Sequence, residues 1–65
     1  MSLAIKSIVE GYVRLNDRDS LEDLRQHRQS LRRQVTVQGE YLDVSRTIQM
    51  LDEDIRVIEA GIGQL

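Results

Sequence analysis

His27 is the single imidazole in this 65-residue chain, and it stands between Gln26 and Arg28 with no second ligand at metal-binding spacing. It reads as a solvated helical residue beside an acid. Asp52, Glu53 and Asp54 look like a carboxylate cluster, the kind of group that holds a divalent cation. On a helix, successive residues point about 100° apart, so the three diverge and form a solvated acidic face. Ser7, Ser20, Ser30 and Ser45 have no accompanying base and orienting group, and no glycine-rich phosphate loop is present. With no cysteine, disulfides and thiolate metal sites are excluded. The residues predict no catalytic site, no metal and no cofactor, and hence no enzyme.

Five arginines carry the remaining chemistry. Arg18, Arg25, Arg28, Arg32 and Arg33 form a local basic segment, with Arg18, Arg25 and Arg32 at heptad spacing. Such a stripe could contact nucleic-acid phosphates. No aromatic residue interleaves it, the net charge is −2, and several of these arginines are wanted by acids further along. Structural pairing is the favoured reading.

What must position these residues is a set of helices. Val44, Ile48, Leu51, Ile55, Ile58, Ile62 and Leu65 recur at alternating steps of four and three, the a/d seam of a coiled coil. Leu21, Leu24, Arg28, Leu31 and Val35 make a second seam at the same spacing. Ile5, Ile8, Val9, Tyr12 and Val13 line a shorter first stripe. The spacing predicts helices over 3–15, 20–37 and 43–61. Gly11 marks a weak point or a close approach, and Ser20-x-x-Asp23 approximates a capping box. Gly39 is available for a left-handed helix end, and Gly61 and Gly63 should fray the last helix. Val35 to Val44 could instead hold a short β-hairpin across Gly39. A helical turn is preferred, since the flanking seams already use Val35 and Val44.

Numbering the heptads makes the flanking charges readable. The e and g positions are Arg25, His27, Arg32 and Gln34 on the second helix. On the third they are Asp52, Asp54 and Glu59, with Ser45, Thr47 and Gly61. An antiparallel pairing brings Arg28 near Asp52 and Arg25 near Ile55, within reach of Asp52 or Glu59, and lets His27 face Asp54. Two third helices side by side would juxtapose acids, so charge selects second with third. Arg28, at a core position, either snorkels to Asp52 or Asp54 or specifies register and oligomeric state. Met50 and Val57 remain as an outer strip. That strip receives the first helix or forms an external docking face, with Ile5, Ile8, Val9, Tyr12 and Val13 as further docking candidates.

A chain of this length forms one domain, 1–65, and buries a low fraction of its surface, so oligomerisation is the expected route to stability. No apolar run approaches a membrane span, and a cytoplasmic location is expected.

The run Ser20-Leu21-Glu22-Asp23-Leu24-Arg25-Gln26-His27-Arg28-Gln29-Ser30-Leu31, followed by Val44-Ser45-Arg46-Thr47-Ile48, resembles short prophage head-assembly proteins. It is similar to the head-to-tail joining proteins of lambda-type phages, in which a β-hairpin lies between two helices. That resemblance implies a non-enzymatic virion-assembly part working through protein contacts. In size and layout the chain also resembles the small co-chaperones of type III secretion needle subunits. It shares its length with the plasmid RNA-binding helical-hairpin dimer, which would imply a four-helix bundle.

The expected fold is all-α: an antiparallel, coiled-coil-like hairpin with a short N-terminal helix, oligomerising into a bundle. The expected function is a structural or adaptor role through helix–helix self-association, with itself and another protein as partners and no membrane. The alternatives are a secretion co-chaperone or a nucleic-acid-binding hairpin.

Overall fold

The computed structural model describes residues 3–39 and 43–65. The chain is all-α. Among the described residues it has three helices, α1 Leu3–Arg14, α2 Arg18–Gln38 and α3 Ser45–Gly63, and no strand. The possible β-hairpin is not realised on its first arm, because Val35 to Gln38 are helical; Glu40, Tyr41 and Leu42 lie outside the described residues.

The turn between α1 and α2 departs from expectation. α1 stops at Arg14, and α2 begins at Arg18 rather than near Ser20. Asn16 takes the left-handed conformation, φ 56°, and its N–H donates to the Val13 carbonyl at 3.0 Å. The Asp17 N–H reaches back to the Tyr12 carbonyl at 2.9 Å. These two bonds make a Schellman closure, with asparagine where glycine is commoner. Asp17 then caps α2: its carboxylate accepts from the Ser20 N–H at 3.1 Å and the Ser20 hydroxyl at 2.6 Å. Those bonds, the hydroxyl's foremost, hold the Asp17 carboxyl below its ordinary pKa. The cap is thus Asp17-x-x-Ser20, not Ser20-x-x-Asp23. One aspartate closes one helix and opens the next, which folds α1 back along α2.

Gly39 closes α2 with φ −80° and an N–H bonded to the Val35 carbonyl, so no left-handed residue is used there. Its glycine character serves space instead, since a Cβ would run into the Val44 side chain. At the start of α3 the Asp43 carboxylate accepts from the Ser45 N–H at 3.1 Å. That bond is the main reason its pKa lies below the ordinary value.

α2 and α3 run antiparallel. Arg25 meets Glu59 at 3.9 Å, Arg28 meets Asp54 at 3.7 Å and Arg32 meets Asp52 at 2.6 Å. Arg28 takes Asp54 and Arg25 takes Glu59, each one of the two acids expected for it, while Asp52 goes to Arg32. α1 lies on the groove along the g positions of α2 and α3, over Gly61. A Cβ on Gly61 would overlap the Val9 side chain and touch Val13. Gly61 therefore does not fray the helix end; it is buried within α3, which continues to Gly63. Gly11, by contrast, has open space around it and is no point of close approach.

The core is Ile5, Val9, Leu21, Ile58 and Ile62, with Tyr12, Val13, Leu24, Val57 and Leu65 packed against it. Each aliphatic side chain fully buried there stabilises the fold by about 1.5–3 kcal/mol. This core sits at one end. α1, with 12 residues, is about 18 Å long, whereas α2, with 21, is about 31 Å. Beyond α1 the molecule is two helices thick.

Candidate interaction surface

The α2–α3 seam is continuous but unequally covered. Leu21, Ile58, Ile62 and Leu51 are buried. Leu24, Arg28, Leu31, Val35, Val44, Ile48, Ile55 and Leu65 are half-buried. For Leu24 and Leu65 the rest of the cover comes from the core beside α1. Leu31, Val35, Val44 and Ile48 belong to the two-helix end, where a pair of helices shields only the facing side of each residue.

The seam's two flanks have different chemistry. Both e-position ion pairs, Arg25 with Glu59 and Arg32 with Asp52, lie on the flank away from α1. Arg25 also grips Glu22 on its own helix at 2.5 Å. On the g flank Asp54 is buried, only 6% exposed, with Oδ2 facing the Arg28 guanidinium. Its Oδ1 has no hydrogen-bond partner. A carboxylate taken out of water and half-satisfied is a costly arrangement, so Arg28 and Asp54 fix how α2 meets α3 more than they stabilise it.

Arg28 Nη1 also donates to His27 Nδ1 at 3.1 Å, the arginine having no acceptor to offer. His27 is exposed and lines a shallow hollow with Tyr12, Ser20, Asp23 and Leu24, rather than facing Asp54. On a g position it lies toward Tyr12 of α1, and Asp54 is taken by Arg28. Arg18 pairs with Glu22 at 3.9 Å within α2, and Arg33 donates to the Ser30 hydroxyl at 3.0 Å. Four of the five arginines proposed for nucleic acid are therefore engaged by carboxylates.

Among the docking candidates, Ile5 and Val9 are core residues, and Tyr12, Val13 and Val57 pack on that core. Val57 thus receives α1. Ile8 and Met50 stay exposed, at 46% and 47%. The helical wheel explains Ile8: it lies about 85° from the centre of the Ile5–Val9–Tyr12–Val13 stripe. Two further exposed apolar residues, Leu15 and Val37, fall outside the stripes read from the sequence. A signal for Leu15 exists, because Ala4, Ile8, Gly11 and Leu15 repeat the four-three-four spacing one residue out of phase with Ile5, Val9 and Tyr12. α1 therefore has two apolar faces.

The hollow between α1 and α3 is lined by Lys6, Val9, Glu10, Val57, Ala60 and Gly61, with its charged groups at the exposed rim. Nothing in it converges polar groups on one point. Among the described residues no group of histidine and acidic side chains is placed to hold a metal ion, and no helix is long and apolar enough to cross a membrane. No family model, curated protein or solved structure matches this chain.

Proposed function

We propose that this chain is a non-enzymatic structural or adaptor protein that acts through helix–helix contacts, chiefly with copies of itself. The observation that carries the reading is the half-covered seam. α1 finishes the core at one end and leaves Leu31, Val35, Val44 and Ile48 half-buried at the other. Exposed Val37 and Met50 stand at that same end. A sustained apolar seam open on one side is what a partner helix closes. Total exposure points the same way. A compact 7.5 kDa chain exposes roughly 4,200 Å², and this one exposes 4785 Å².

For the biological setting we propose virion assembly in a phage or prophage, in the cytoplasm or the virion, on the resemblance of Ser20–Leu31 and Val44–Ile48 alone. Protein contact is favoured over nucleic-acid binding because Arg18, Arg25, Arg28 and Arg32 already face carboxylates. The test is co-expression of two differently tagged copies, followed by passage over DNA and RNA columns at low salt. Co-purification of the two tags without retention on either column supports the reading. Salt-sensitive retention on nucleic acid, with the tags separating, overturns it.

A further inference from the structure

We draw no further inference here: the strongest candidate, the exposed apolar patch of Val37 and Met50 at the two-helix end, is bordered by cations and acids together, with Glu53 in the hollow of Arg46 and Met50 and Asp43 exposed at the same end, and nothing in the structure shows what covers it.

Discussion

Gly61 of α3 lies so close to the Val9 side chain of α1 that a single added methyl would overlap it. The glycine is what lets the third helix seat against the other two. Gly61→Ala gains up to about 1 kcal/mol in helix propensity and costs about 1–3 kcal/mol in overpacking, since β-branched Val9 cannot swing aside. The expected net is a loss of about 1 kcal/mol in urea unfolding. Adding Val9→Ala should shrink the cost of Gly61→Ala markedly. Gly11→Ala, where nothing stands in the way, should instead stabilise by about 0.5–1 kcal/mol. Equal responses at the two glycines would contradict the placement of α1.

Asp17 closes α1 and caps α2, so its loss loosens both. Asp17→Ala should lower the melting temperature by a few degrees and bring fraying at the start of α2, visible as faster amide exchange at Ser20. The pH dependence has a defined sign. The folded-state pKa of Asp17 is depressed below the ordinary 3.8, so its contribution is complete above that value and is lost as pH falls through the lowered pKa. Asp43 behaves in the same sense through Ser45. Asp17→Asn should therefore flatten the acid limb of the stability profile, and an unchanged limb would count against the cap.

Arg28 and Asp54 form the ion pair nearest the core, with one carboxylate oxygen unmet. Removing the arginine alone, as Arg28→Leu, strands a buried charge and should cost about 2 kcal/mol. Replacing both by leucine should be near neutral or stabilising, because the desolvation cost disappears with the pair. The double variant should also associate less selectively, giving mixed species in sedimentation velocity. Additive losses in the double-mutant cycle would contradict the coupling.

Helix number and type are legible in the sequence because heptad spacing is a strong local signal. The ends are less so. The capping residues Asn16 to Ser20 mark the start of α2, but which of them caps it is not legible, since the helix-closing role of Asn16 depends on bonds back to Tyr12 and Val13 that no spacing rule reveals. The pairing of arginines with acids is legible by sign and, for Arg25 with Glu59 and Arg28 with Asp54, down to one of two acids; the pairing of Arg32 with Asp52 is not. The fit of Val9 over Gly61 joins residues far apart in the chain and leaves no local signal. The half-open seam is visible as surplus apolar residues, but which of them remain exposed depends on the rotation of α1. That rotation buries Ile5 and Val9 and turns Ile8 outward.

The most direct test of the central claim, that this chain completes its fold by pairing with itself, is sedimentation equilibrium of the untagged protein across micromolar concentrations, with helicity followed in parallel. The account predicts a helical species at twice the chain mass, dissociating on dilution with some loss of helix from the α2–α3 end. A fully helical monomer at every concentration would mean that Leu31, Val35 and Ile48 need no second copy, and would contradict the claim.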